Sequence, residues 1–130
     1  MFLKTLSTAA AAAFLSAGVA LAGMGAPAVT GKLGDKTYLM DQNKMTLYTF
    51  DKDAKGVSNC YGACAEKWPP LLAEEGAELG RGYSLIKRKD GTMQVAYHGH
   101  PLYLWFKDKH PGDMTGDGVK GVWHIAVPGH

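Results

Sequence analysis

Two groups of side chains in this sequence have the types and spacing to do chemistry, and the first is a pair of cysteines. Cys60 and Cys64 are separated by three residues. In a helical turn their Cα atoms would lie about 6 Å apart, which is within the range of a disulfide bond. We therefore expect a disulfide that pins the turn between them. The alternative is a redox-active dithiol, although exchange enzymes of the thioredoxin type have two intervening residues on a βαβ unit.

The second group is the segment His98-Gly99-His100, which is a candidate metal site. Residues i and i+2 of a strand face the same way, so both imidazoles could contact one ion. His110 could complete the site, and His124 or a methionine could add a soft ligand set suited to copper. The alternative is an exposed loop with solvated histidines. Copper or zinc thus stands as an option beside the expectation of no cofactor.

The remaining polar residues carry no recognisable catalytic signature. The serines lack the context of a nucleophile elbow, and the glycine-rich segments lack the Lys-Ser/Thr end of a Walker motif. An aspartate-rich loop begins at Asp108, but Val119 stands where a calcium loop of the EF-hand type needs glutamate. We expect that the protein is not an enzyme.

The N-terminal segment and the charge balance define the compartment and exclude some partners. Residues 1–22 combine the basic Lys4, an apolar run and the end Ala20-Leu21-Ala22, as in a cleaved export signal. Removal of this segment near Ala22 predicts a periplasmic or secreted protein without stable membrane insertion, in a compartment where disulfides form. A net charge of +2 is too small to drive binding to nucleic acid. A small ligand, a metal ion or an envelope protein are the partner classes left.

An internal repeat is the most informative feature of the chain. Four residues recur at an offset of 55 positions: Tyr48 and Tyr103, Phe50 and Trp105, Asp53 and Asp108, Trp68 and Trp123. On a strand the first two members of each set share a face, and the aspartate falls just past the strand end, where it can accept backbone N–H groups. We expect these residues to form one shared core. The alternative is an aromatic-lined groove for a flat or apolar ligand.

Short strands must position these residues. They are predicted over residues 37–41, 46–51, 83–88, 92–97, 102–106 and 122–127. The first two strands should form a hairpin, the next two a second hairpin around Asp90-Gly91, and residues 102–106 a buried central strand. Ser58 could cap a short helix that runs to about Lys67, where Pro69-Pro70 would end it.

The fold class predicted is mainly β: a small single domain of two repeated β units with one short disulfide-pinned helix. After the signal segment 1–22, residues 23–32 should form a flexible leader. Residues 33–130 should form the single domain, with the repeats at about 37–71 and 92–127.

The pattern Tyr-x-[Phe/Trp/Tyr]-x-x-Asp, present twice, resembles a bacterial family of secreted repeats of unknown function, described as predicted lipoproteins with this motif. Residues 60–71, the segment Pro101-Leu102-Tyr103 and the segment Pro111-Gly112-Asp113 also agree with the family, and the resemblance covers about residues 33–128. It implies export and a repeated unit, and it implies no particular reaction. The absence of a cysteine near the cleavage point departs from the lipoproteins and favours a free protein.

Together these observations favour an exported, soluble, non-catalytic binding or structural module rich in β structure. A periplasmic metal-binding protein of copper type, acting through the His-x-His segment, is the first alternative. A thiol–disulfide redox protein is the second.

Overall fold

The computed structural model describes residues 26–129. The predicted signal segment and its cleavage point lie outside these residues. The elements in chain order are β1 (Ala28–Leu33), β2 (Lys36–Asp41), β3 (Tyr48–Phe50), α1 (Ala63–Lys67), β4 (Leu72–Ala73), β5 (Tyr83–Lys87), β6 (Met93–Tyr97), β7 (His100–Pro101), a 3₁₀ turn (Val119–Gly121) and β8 (Trp123–Ile125). The predicted fold class, mainly strands with one short helix, is confirmed. Among the described residues no helix is long and apolar enough to cross a membrane.

The strands form three small antiparallel sheets. β1 pairs with β2, β3 pairs with β8, and β6 lies between β4 and β5 and also pairs with β7. The hairpin of β1 and β2 in the first half of the chain corresponds to the hairpin of β5 and β6 in the second half. The second of these is the hairpin predicted around Asp90-Gly91.

Backbone hydrogen bonds show that the C-terminal segment of each repeat pairs with the other repeat. Ala126, at the end of the second repeat, donates to Leu47 of the first at 2.9 Å. Its counterpart Leu71, at the end of the first repeat, donates to Leu102 of the second at 3.0 Å. The two halves therefore share their edges and cannot be separated without breaking both sets of bonds.

A pseudo-two-fold axis passes between Tyr48 and Tyr103. The Tyr48 amide donates to the Tyr103 carbonyl at 2.8 Å, and the Tyr103 amide donates to the Tyr48 carbonyl at 3.0 Å. The β3–β8 ladder on one side sets Phe50 opposite Trp123. Next to that pair Asp51 donates to the Val122 carbonyl at 2.8 Å, and on the other side Phe106 makes the equivalent bond to the Lys67 carbonyl at 2.9 Å.

The interior has two clusters of buried residues. The first is aliphatic and joins the two hairpins; its fully buried members are Leu39, Leu47, Val95 and Leu102. The second contains the motif tyrosines and tryptophans together with Cys60. Burial of these aromatic side chains is the largest source of stability that the second cluster offers.

The structure differs from the prediction at the start of the domain. Residues 28–32, placed in the predicted flexible leader, form most of β1, and Ala28 is buried. As a result β2 pairs along its length with β1. The hairpin predicted between residues 37–41 and 46–51 is reduced to the Met40–Thr46 bridge and two flanking bonds, in which Leu47 donates to Leu39 and Asp41 donates to Met45, each at 3.0 Å. Gly34, at a φ of 63°, makes the tight turn between β1 and β2 that the sequence pattern did not reveal.

The predicted central strand over residues 102–106 is also wrong. Only Tyr103 makes bridges there, and the Phe106 side chain is 42% exposed. The segment runs beside residues 67–70, where Leu104 donates to the Pro69 carbonyl at 2.7 Å. Because Pro69 and Pro70 have no N–H to return, no regular ladder can form.

The helix begins later than predicted. α1 starts after Gly62, which makes no side-chain cap. Ser58 lies four residues earlier and its hydroxyl is used elsewhere, in a buried network described below.

Candidate functional site

The centre of the molecule is a stack of four aromatic rings, here called the aromatic stack. Phe50 lies on Trp123 with ring centroids 4.1 Å apart, Trp123 on Trp68 at 3.7 Å, and Trp68 on Trp105 at 4.0 Å. The rings alternate between the first and the second repeat. Trp68 and Trp123 are therefore enclosed on both faces, with planes only 2° apart, and the pseudo-two-fold axis passes between them.

The motif tyrosines and aspartates are paired across the repeats. The Tyr48 hydroxyl donates to Asp108 Oδ2 at 2.6 Å, and the Tyr103 hydroxyl donates to Asp53 Oδ2 at 2.7 Å. The other carboxylate oxygen of each aspartate accepts a backbone N–H from its own repeat. Asp53 Oδ1 accepts from Asn59 at 2.7 Å, and Asp108 Oδ1 accepts from Thr115 at 3.0 Å. Each aspartate thus closes a turn in its own repeat and also binds the tyrosine of the other repeat.

Burial keeps the motif tyrosines protonated. It raises the pKa of Tyr48 and of Tyr103 well above the ordinary value, and the hydrogen bond to Asp108 raises the pKa of Tyr48 further. Burial also raises the pKa of Asp53, against the lowering effect of the bonds from Asn59 and Tyr103. Both hydroxyls therefore act as fixed donors that hold the rings in place.

A buried arginine, which the sequence analysis did not identify, supports one of these pairs. Arg88 Nη1 donates to Ser58 Oγ at 3.0 Å and to Gln94 Oε1 at 2.7 Å, and Nη2 donates to the Cys60 carbonyl at 2.8 Å. Ser58 Oγ lies 2.6 Å from the Tyr103 hydroxyl. A chain of donors therefore runs from Arg88 through Ser58 and Tyr103 to Asp53, and such chains reinforce each other at low local dielectric.

The expected disulfide between Cys60 and Cys64 is present, with Cα atoms 5.3 Å apart. Cys60 is fully buried, whereas Cys64 is partly exposed. The Cys64 carbonyl accepts the Trp68 amide at 2.8 Å. The disulfide thus fixes the helix from which Trp68 enters the aromatic stack.

A groove of about 390 Å³ crosses the aromatic stack; it is here called the stack groove. Its wall consists of the four stacked rings, Ala63, Cys64, Val119, Val122 and three lysines, Lys52, Lys67 and Lys120. Because both faces of Trp68 and Trp123 are covered by neighbouring rings, the parts of these two rings that reach the groove are their edges. The groove lies across the pseudo-two-fold axis, so both repeats build it.

The residues predicted as a repeat-motif core are all brought together in the aromatic stack and the two Tyr–Asp pairs. Four of them, Phe50, Trp68, Trp105 and Trp123, also line the stack groove. The three lysines and Gly116 were missed. An ideal Cβ at Gly116 would lie 2.9 Å from both Trp68 and Trp105, which shows how closely the backbone approaches the rings.

The histidines predicted as metal ligands are placed differently from the expectation. His98 and Gly99 have φ angles of 50° and 85° and form a tight turn, and the flanking Tyr97 and His100 pair with each other. The strand geometry that would align His98 with His100 is therefore absent. The His98 ring lies on Tyr97 at 4.0 Å, and the His110 side chain is 83% exposed beside Asp113.

No group of three or more His, Cys, Asp or Glu within residues 26–129 is placed to hold a metal ion. His100 and His124 do share the wall of a second cavity, of about 320 Å³, with Thr49 and Tyr97. His124 Nε2 lies 2.8 Å from Asp51 Oδ2 there.

Two repeats that exchange their ends and enclose a common aromatic stack define the class of this protein: a pseudo-symmetric duplicated β module. A family described as a secreted repeat of unknown function matches residues 28–72 and 84–127. The chain belongs to this family, as the sequence resemblance implied. No curated protein and no solved structure matches the chain. The secreted character of the family agrees with an exported module.

Proposed function

We propose that this chain is an exported binding module rather than an enzyme, and that the stack groove is its ligand site. The observation that carries the proposal is the position of the groove, which opens on the edges of Trp68 and Trp123 across the pseudo-two-fold axis. A concave surface of this volume with several aromatic rings is typical of sites for small molecules.

The wall of the groove is held rigidly, which favours binding because little ordering is needed when the ligand arrives. The disulfide fixes the helix that precedes Trp68, and the Tyr–Asp pairs fix the segments that carry Phe50 and Trp105. Trp123 is held by the pairing of its strand with β3. The hydroxyls of Tyr48 and Tyr103 and the carboxylates of Asp53 and Asp108 are engaged in these bonds, which supports a structural rather than a catalytic role for these four groups.

The proposal includes the compartment. The expected cleavage near Ala22 would release the module into the periplasm or the medium, where the disulfide between Cys60 and Cys64 would remain oxidised. A metal-binding role through His98 and His100 and a thiol–disulfide role have no comparable support, and we do not propose them.

The proposal is tested by nuclear magnetic resonance on the ¹⁵N-labelled protein. The three tryptophans give three indole N–H signals, and all three rings line the groove. We expect that 2-naphthoate or its neutral analogue 2-naphthalenemethanol shifts these signals in a saturable way. The test variant is Ala63→Phe, whose larger side chain would occupy the groove. The control variant is Ala54→Phe, at an exposed position outside the groove.

Ala63→Phe should abolish the shifts, and Ala54→Phe should leave them unchanged. The proposal fails if neither compound shifts the indole signals, or if the shifts centre on exposed apolar residues elsewhere, such as Leu33 and Leu72.

A further inference from the structure

We infer that the stack groove selects planar aromatic compounds that carry a negative charge, such as aromatic carboxylates. This inference rests on the proposed function and adds the chemical class of the ligand. Ring edges, three lysines and a strained backbone position point to it independently.

The ring edges give the first argument. An aromatic ring is electron-rich on its faces and electropositive at its edge. The faces of Trp68 and Trp123 are covered within the aromatic stack, so these rings offer the groove their electropositive edges. Such a surface suits the electron-rich face of another aromatic ring, or an anionic group, and disfavours a cation.

The lysines give the second argument. Lys52, Lys67 and Lys120 line the groove, and its wall contains no acidic residue. Within the described part of the chain, none of these three ammonium groups is paired with a carboxylate. The neighbouring Asp51 lies outside the wall and contacts His124 instead. The groove therefore carries uncompensated positive charge, which complements an anion.

The backbone at Lys120 gives the third argument. Lys120 has a φ of 53°, a left-handed conformation that a side chain other than glycine adopts at an energetic cost. The surrounding loop imposes it, since Gly118 donates to the Trp123 carbonyl at 2.7 Å and Gly121 donates to Gly118 at 2.9 Å. The loop thus holds Lys120, at an energetic cost, in the wall of the groove that Trp68 and Trp123 also line.

The size of the groove agrees with this class of ligand. Its volume of about 390 Å³ falls at the small end of the range for sites that bind small molecules. A two-ring aromatic acid would place its rings on the tryptophan edges and its carboxylate towards the lysine ammonium groups.

The test compares two compounds of the same shape, 2-naphthoate and 2-naphthalenemethanol, by isothermal titration at low salt. Three exposed lysine contacts should favour the carboxylate by about tenfold in Kd. The groove variant K52Q/K67Q/K120Q should bind both compounds with nearly equal affinity. The control variant K32Q/K36Q/K109Q loses the same charge at exposed positions outside the groove and should keep the preference.

The outcomes separate the inference from the proposed function. Equal affinity of the wild-type protein for both compounds, or an equal loss of preference in the control variant, would overturn the inference while leaving the groove as a binding site. Binding of neither compound would overturn both. Thermal melting near that of the wild type shows that each triple variant is folded.

Discussion

Tyr48 and Asp108 lie in different repeats, and the Tyr48 hydroxyl donates to the Asp108 carboxylate at 2.6 Å. The matching residues Tyr103 and Asp53 repeat the contact in the opposite direction, at 2.7 Å. The Tyr-x-[Phe/Trp/Tyr]-x-x-Asp motif therefore works in pairs: its aromatic residues fill the shared stack, and its aspartate anchors the tyrosine of the other copy. A single copy would leave both polar groups without their buried partners.

The first prediction concerns this exchange. Tyr48→Phe removes the donor and leaves a buried carboxylate oxygen without its strongest partner, so the free energy of unfolding should fall by about 1–3 kcal/mol. Urea denaturation measures the change. Tyr61→Phe is the control, because the Tyr61 hydroxyl only accepts an exposed backbone N–H from Lys89.

A double-mutant cycle with Asp108→Asn should show strong non-additivity between the two sites. If Tyr48→Phe costs no more than the Tyr61 control, the cross-repeat bond does not contribute to stability.

The second prediction concerns alkaline pH. Burial raises the pKa of Tyr48 and Tyr103 in the folded state above the ordinary value of 10.0. Above pH 10 the unfolded chain releases these protons while the folded chain keeps them, so stability is fully present below this pH and falls as the pH rises. Each tyrosine should contribute a slope of about 1.4 kcal/mol per pH unit.

Denaturation measured from pH 9 to 11.5 tests this expectation. The variant Tyr48→Phe/Tyr103→Phe starts from lower stability but should lose it less steeply than the wild type. Parallel curves for the two proteins would show that the hydroxyls titrate normally in the folded state.

The third prediction ranks the tryptophans. Trp123 is buried and covered on both faces, so Trp123→Ala should cost about 3–5 kcal/mol, as for other truncated core aromatics. Trp105 lies at the end of the stack and is only half-buried, so Trp105→Ala should cost less. Chemical denaturation gives both values, and equal losses would contradict the stacking order.

The fourth prediction concerns Gly116. A methyl group there would meet the Trp68 and Trp105 rings at 2.9 Å, and the stacked rings cannot retreat without disturbing their neighbours. Gly116→Ala should therefore destabilise the protein by about 1–3 kcal/mol. Gly80→Ala is the matched control, because a Cβ there meets only Tyr83, at an ordinary distance of 3.6 Å. A neutral Gly116→Ala would indicate a looser stack.

The sequence predicts the repeat, the disulfide and the mainly β fold because each follows from residue types and their spacing along the chain. Spacing alone does not say whether Tyr48 bonds to the aspartate of its own repeat or to that of the other. The exchange of partners is a property of the assembled pair, which is why the sequence could not reveal it. The same reason applies to Arg88, a single charge whose hydrogen-bond partners come from two other segments: Ser58 and Cys60 in one, Gln94 in the other.

The errors in prediction have local causes. Alternation suggested that His98 and His100 share a strand face, but the left-handed conformation of Gly99 places them around a turn. The apolar residues 102–106 read as a central strand, but their neighbours Pro69 and Pro70 cannot complete a ladder. The positive charge of the stack groove was not predicted because its three lysines are far apart in the sequence.

The most direct test of the proposed binding site is the set of contacts made by bound 2-naphthoate, measured as intermolecular nuclear Overhauser effects on the full protein. The account predicts contacts from the naphthalene protons to the ring-edge protons of Trp68 and Trp123, and to the side chain of Lys120. Contacts confined to exposed apolar residues such as Leu33 and Leu72, with none to the two central tryptophans, would contradict it.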